Sequence, residues 1–209
     1  MADIKTNIPE QPYFLNPLEE IIRTVNTLPH WYQPDKLQFV TFRFEDSLPA
    51  SERRLLSDRI KLFHKQHPGE WSPQTQNTFD NLFSKKIMNL LDNGYGNCWL
   101  KNKECRDIVE EGLLFRDREG IIELGDYVIM PNHVHFLACF HESPEKVLPS
   151  LMRYTAGKIN ELVNRRGTLW NTKFFDRLIR SETHLMFTRN YIANNPRNLP
   201  PESYTLHMI

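Results

Sequence analysis

Three features of this 209-residue sequence predict an α+β fold built on an antiparallel sheet. Two extended apolar runs, residues 121–130 and 133–141, are joined only by Pro131-Asn132, the spacing of a tight hairpin. An earlier run, Leu37 to Phe44 (LQFVTFRF), is rich in β-branched and aromatic residues and reads as a first strand. The segments around these runs carry apolar residues at three-and-four spacing, the mark of amphipathic helices. The order strand, helices, strand, strand, helix, strand, helix suggests a ferredoxin-like antiparallel sheet with helices on one face. To this are added a helical insertion after the first strand and a C-terminal helix.

Residues 1–36 read as irregular, with Pro9, Pro12, Pro17 and Pro34 spread through them. After the first strand, Ser47-Leu48-Pro49 breaks the chain. Residues 51–67 then show helical periodicity through Leu55, Ile60 and Phe63, ending at Pro68-Gly69. A second helix is expected over about 73–91, using Phe79, Leu82, Phe83, Ile87 and Leu90, and Asp92-Asn93-Gly94 stops it. Asn97 to Leu100 reads as a short extended piece. Residues 103–115 form a helix with Cys105, Ile108, Val109 and Leu113 on its apolar side, and 116–120 a charged turn. The hairpin strands follow. A long helix then reaches about Arg166. Its main body is expected to start at Pro149, because proline lacks the N–H that a helix interior needs. Residues 174–180 read as a last strand. Ser181 is a plausible N-cap for a final helix over 182–195, which Pro196 ends. The whole reads as one domain, 1–209, with a core over 37–198 and the insertion over 51–92.

The totals narrow the classes. A hydrophobic fraction of 40%, with 11% aromatics, is enough for a core. No run approaches the roughly 20 apolar residues needed to cross a bilayer, and the polar first dozen residues lack the apolar stretch of a signal peptide. A cytoplasmic protein without a membrane partner is expected. Cys98, Cys105 and Cys139 are odd in number and lack paired spacing, so reduced thiols are expected. Lys plus Arg and Asp plus Glu are 26 each, giving zero formal charge. The distribution is uneven. Residues 150–191 hold Arg153, Lys158, Arg165, Arg166, Lys173, Arg177, Arg180 and Arg189 against only Glu161, Asp176 and Glu182. That excess suits an anion-binding surface, and a solvated helix face fits the charge equally well.

The chemistry concentrates in two places. On a strand, His133 and His135 share a face, with Leu137 and Cys139 behind them, while Val134, Phe136, Ala138 and Phe140 fill the other. Two neighbouring imidazoles on a rigid strand can hold one divalent cation but cannot complete its coordination. On the final helix, Tyr191 and Asn195 are four apart and share a face. Asn195 offers an amide oxygen to a hard cation, and Tyr191 a phenol that can attack phosphorus. Read singly, each residue also has a structural role: core histidines, a packing aromatic, a helix-ending asparagine.

The segment Met130-Pro131-Asn132-His133-Val134-His135-Phe136-Leu137, with residues 175–180 (FDRLIR) and 190–196 (NYIANNP), resembles the HUH single-tyrosine transposases. Within these it is most similar to the REP-associated tyrosine transposases. The run Phe39-Val40-Thr41-Phe42-Arg43 and the Ser47-Leu48-Pro49 turn also resemble the start of that domain. The resemblance implies that His133, His135 and Asn195 hold Mg²⁺ or Mn²⁺, that Tyr191 is the nucleophile, and that the partner is hairpin-containing single-stranded DNA. The product would be a 5′-phosphotyrosine link and a free 3′-hydroxyl that can reverse the reaction for strand transfer. Both monomers and homodimers occur in such enzymes. Arg153, Lys158, Arg165, Arg166, Lys173, Arg177 and Arg180 are candidates for phosphate contacts, and Trp170, Phe174 or Phe175 for base stacking. Asp176 is a candidate to orient a ligand histidine, with a strand-end ion pair to Arg180 as its alternative. Tyr154 competes as nucleophile but meets Lys158, not an amide, four residues on. Two other functions remain open: a hairpin-DNA-binding protein without turnover, and an unrelated metal-dependent hydrolase.

Overall fold

The computed structural model describes residues 13–25 and 28–209. It is an α+β fold with a five-stranded antiparallel sheet. A short hairpin comes first, β1 (Ile22–Val25) with β2 (Pro29–Tyr32). The main sheet opens with β3 (Leu37–Arg43) and continues with the hairpin β4 (Ile122–Ile129) and β5 (His133–Phe140). It is completed by β6 (Phe175–Leu178) and β7 (Thr205–His207), in the order β6-β3-β5-β4-β7.

The pleat separates two environments, because alternate residues point to opposite faces. On one face Val40, Phe42, Val134, Phe136, Ala138 and Phe140 form the main core. Helices α4 (Lys103–Arg118) and α5 (Pro144–Leu162) cover it through Val109, Leu113, Leu148, Leu151 and Ile159. On the other face Val128, Met130 and Leu137 meet Ile179 and Ile192. Ile192 belongs to α6 (Glu182–Asn194), so the final helix lies opposite α4 and α5. Ser181 caps α6, its side chain accepting from the His184 N–H.

The insertion comprises α1 (Ala50–Gln66), α2 (Pro73–Phe79) and α3 (Lys85–Leu91). Leu56, Ile60, Phe63, Trp71, Phe79, Phe83, Ile87 and Leu91 give it a cluster of its own. The expected single helix over 73–91 is interrupted by a π-helical segment, Asp80–Ser84.

Several expectations are corrected. Residues 1–36 are not irregular throughout, since β1 and β2 lie within them; residues 1–12 lie outside the described residues. The sheet also extends past the expected core limit at 198 through β7, which pairs with β4. Residues 99–101 form a 3-10 turn, not an extended piece, because Cys98 adopts a left-handed conformation (φ 51°) and Leu100 N–H donates to the Pro131 carbonyl. Helix α4 continues through the expected charged turn to Arg118. Helix α5 begins at Pro144, with Pro149 inside it. Pro149 sits on the exposed face, where water can replace the missing N–H. The helix ends at Leu162, earlier than expected.

Trp170 is a core residue, not a base-stacking platform. It is 4% exposed, packs on Phe44 and Phe42 with ring centroids 4.4 and 4.7 Å away, and donates its Nε1–H to Thr155 Oγ1 at 2.9 Å. Phe174 is likewise buried, against His30. Trp170→Ala is expected to destabilise the fold by about 3–5 kcal/mol, read from urea unfolding; an unchanged midpoint would contradict this packing role.

Candidate active site

Strand register builds the first half of the site. Thr41 lies opposite His135 and Arg43 opposite His133, so all four side chains share the face that α6 covers. Thr41 Oγ1 is 2.7 Å from His135 Nδ1. His133 Nδ1 is 2.7 Å from Asn132 Oδ1. The Asn132 amide donates its other end to the carbonyls of Leu91 and Tyr95, so its oxygen must face the ring. His133 therefore carries its proton on Nδ1 and presents a lone pair on Nε2. The two imidazole centroids are 4.5 Å apart.

Helix α6 supplies the second half. Its one-turn spacing puts Thr188, Tyr191 and Asn195 along one side, while Ile192 sinks into the apolar cluster beneath. Arg189 pins the helix to β4, its Nε donating to Asp126 Oδ2 at 2.6 Å. Tyr191 Oη then stands 3.4 Å from His135 Nε2. Phe39 fills the wedge between them, stacked on His135 at 5.4 Å and edge-on to Tyr191 at 6.0 Å. The four residues meet within a single chain.

The electrostatics follow from burial. Desolvation lowers His133 to about 3; a contact with Asn195 opposes this and the Arg43 charge adds to it. Desolvation also holds His135 well below its ordinary value, with His133 adding. Both rings are thus neutral at physiological pH, the form that ligates metals. Burial pushes the Tyr191 phenol far up, the Asp92 charge pushes it further, and Asn195 partly offsets both.

A divalent cation can be tested against this donor set. His133 Nε2 and Asn195 Oδ1 are both buried and have no hydrogen-bond partner. An unsatisfied buried acceptor costs about 1–3 kcal/mol, and these two lie on side chains close enough to perturb one another. Two neutral imidazoles and an amide oxygen suit Mn²⁺ better than Mg²⁺, which prefers oxygen ligands. Among the described residues no group of three or more His, Cys, Asp and Glu is placed to hold a metal ion.

Some expected site residues lie elsewhere. Asp176 faces the opposite side of the sheet, because it pairs with Val40. Its carboxylate meets His30 Nδ1 at 2.5 Å and orients neither His133 nor His135. Tyr154 is on α5, also on the far face. Helix α5 carries Arg153 and Lys158 there as well, Lys158 pairing with Glu161 at 3.9 Å. Arg165, just beyond α5, bonds Asn160 and the Thr168 carbonyl, and Arg166 follows it. Arg177 is paired with Asp80, and Arg180 with Asn77 Oδ1 at 3.0 Å. Lys173 lines a cleft of about 390 Å³ with Arg43, Arg53 and Arg54, three cations that the sequence reading passed over. Burial, then the Arg43 and Lys61 charges, hold the Lys173 ammonium below its ordinary value.

Asp92 was also passed over. It ends α3, and its Oδ1 accepts from Asn195 Nδ2 at 3.3 Å, which turns the Asn195 oxygen away from Asp92. The separation of 103 residues hides this contact from any local pattern. Asn132 and Thr41 stood inside the quoted motifs, but only register reveals what they hold.

No family model and no curated protein matches the chain. Among solved structures it is similar to a REP-associated tyrosine transposase bound to a REP hairpin. Identity is 12%, the match covers 81% of this chain and 71% of that one, and the TM-score is 0.42.

The buried histidines make stability depend on pH. Unfolded, each titrates near 6.5; folded, His133 stays neutral to about 3. The unfolded state therefore binds more protons in that window, and stability falls as pH drops below 6.5. The slope approaches about 1.4 kcal/mol per pH unit for each such histidine. Urea midpoints between pH 7.5 and 5 are expected to fall more steeply in the wild type than in His133→Gln; equal slopes would refute the buried neutral ring.

Proposed function

We propose that this chain is a metal-dependent single-stranded DNA endonuclease and strand transferase that works through a 5′-phosphotyrosine link. The observation that carries the reading is the meeting of Tyr191 Oη with His135 Nε2 at 3.4 Å, beside the two unsatisfied acceptors His133 Nε2 and Asn195 Oδ1. The sequence resemblance supplies the substrate class, hairpin-containing DNA, and the cleft of Arg43, Arg53, Arg54 and Lys173, where Glu45 pairs with Arg53, offers a net-cationic path for its backbone.

Mg²⁺ or Mn²⁺ held by His133, His135 and Asn195 would supply Lewis-acid charge at the scissile phosphate. The chain's own residues do the rest. Thr41 and Asn132 fix the two rings through their Nδ1 atoms and aim each Nε2 at the site. Asp92 orients the Asn195 amide. Phe39 and Ile192 hold Tyr191 in place, which is the positioning that phosphoryl transfer chiefly needs. Burial and Asp92 keep the phenol protonated in the free protein, so it becomes nucleophilic only once positive charge is brought beside it. The Tyr191 Oη–phosphorus bond then forms as the bond from phosphorus to the 3′-oxygen breaks; Oη loses its proton and the departing 3′-oxygen gains one, so the step leaves a 3′-hydroxyl with no net proton released. The new phosphodiester conserves the bond energy for reversal onto another 3′-hydroxyl.

Incubation with hairpin-bearing single-stranded DNA and Mn²⁺ is expected to give a denaturant-stable protein–DNA adduct that Tyr191→Phe abolishes. Cleavage that survives Tyr191→Phe would sink the tyrosine mechanism. Binding without cleavage in the wild type would favour a hairpin-binding protein without turnover.

His133→Ala is expected to lose adduct formation by about 10²-fold or more while retaining DNA affinity. Mn²⁺ is also expected to raise the Tm of the wild type and not of this variant. A metal-induced shift of equal size in both would remove His133 from the ligand set.

A further inference from the structure

Beside Tyr191 lies a cavity of about 480 Å³ that the chemistry above leaves unused. Its floor is the sheet, at Phe39 and Phe175. One wall is α6, at Tyr191 and Phe187, and the other is the helical insertion, at Gln76 and Phe79. The volume is in the range of small-ligand pockets, about 300–1,000 Å³.

Its chemistry is specific. Four phenylalanines contribute to the lining, and Phe187 is 72% exposed although large and apolar. Gln76 is 8% exposed, and its Nε2 donates to Asp80 Oδ1 at 3.3 Å. That bond fixes the amide and leaves Oε1 without a partner. Asp80 is neutralised by Arg177 and also accepts from Ser84 Oγ. The cavity therefore wants a flat, neutral group with an aromatic face and an N–H to donate. A phosphate offers no aromatic face to the phenylalanines and an alkyl chain no N–H to the unpaired amide oxygen. A nucleobase meets every requirement. Lys85, on the exposed rim, suits the phosphodiester that a base brings with it.

We propose that this cavity receives one unpaired base of the DNA strand, from the nucleotide adjoining the scissile phosphate. The proposal rests on the function stated above, because Tyr191 lines the cavity and fixes where that phosphate lies. Phe187 supplies the exposed stacking face, the half-buried Phe39 and Phe175 line the floor, and Gln76 Oε1 accepts the base N–H. The insertion is thereby a substrate-reading element and not merely an appendage.

The test uses the whole 209-residue chain with Tyr191→Phe, so that the DNA is not consumed, and 2-aminopurine placed in turn at each position of the single-stranded tail. One position is expected to be quenched severalfold on binding, and Phe187→Ala, at an exposed site, to relieve the quenching. Gln76→Leu is expected to weaken binding of the same oligonucleotide. In the wild type, an abasic residue at the quenched position is expected to slow adduct formation roughly five- to hundredfold, the size of one stacked base. No position-specific quenching, or quenching untouched by Phe187→Ala, would overturn the proposal. So would an abasic strand that reacts as fast as the intact one, and that result would leave the Tyr191 reaction standing. Absence of any adduct with intact DNA would count against the enzyme reading instead, and the quenching measurement would still decide the pocket.

Discussion

The amide of Asn132 is the bond point on which the site depends. It is 1% exposed and serves three partners at once. Its oxygen fixes the His133 tautomer, and its nitrogen holds the end of the helical insertion at Leu91 and Tyr95. Its backbone carbonyl accepts from Phe44 N–H just past β3. A side chain with one acceptor and two donors can do this only in one orientation. The ring that would ligate the cation is thus oriented by the same group that brings Asp92 into reach of Asn195. The loop behind it is tied down as well. Asp46 accepts from both the backbone and side-chain nitrogens of Asn97, and Gly96 is needed there because a Cβ would stand 2.7 Å from the Asp46 carbonyl oxygen.

The arrangement buries both imidazoles fully and the Tyr191 phenol in part. Burial is unfavourable for each of them singly: it strips the histidines of their charge and makes the phenol a weaker acid. Under the proposed function, the positive charge that offsets these penalties would come from a bound cation and not from the side chains. The nearest fixed cation, Arg43, is itself lowered to about 10 by burial, with Glu45 supporting its charge and Arg53 opposing it. Electrostatic preorganisation of this kind works because the dipoles need not reorganise when charge develops.

The sheet was legible because its signals are local. Alternation over residues 133–140 assigned His133 and His135 to one face and Phe136 and Phe140 to the other, and the register agrees. Ser181 announced the start of α6 by its capping chemistry, and four-residue spacing set Tyr191 beside Asn195. The elements that escaped were too short to carry periodicity. Strand β7 has three residues, and β1 and β2 have four each. Charge is less local than pattern. The basic run over 150–191 is continuous along the chain, yet the sheet divides it. Arg153 and Lys158 go with α5 to one side, while Lys173 joins Arg43 on the other. Asp176 shows the same limit, since a residue between Phe175 and Arg177 must point away from both.

The π-helical segment Asp80–Ser84 has a consequence for helical phase. An ordinary α-helix advances about 100° per residue, and a π turn absorbs one extra residue without ending the rod. Gln76 and Phe79 stand before that turn, Met88 and Leu91 after it. Were the same residues to run as a uniform α-helix, everything upstream would turn by about a quarter turn relative to α3. Asp92 would keep its place at Asn195 while the cavity wall turned away. The wide turn is thus what lets one rod both brace the Asn195 amide and shape the cavity.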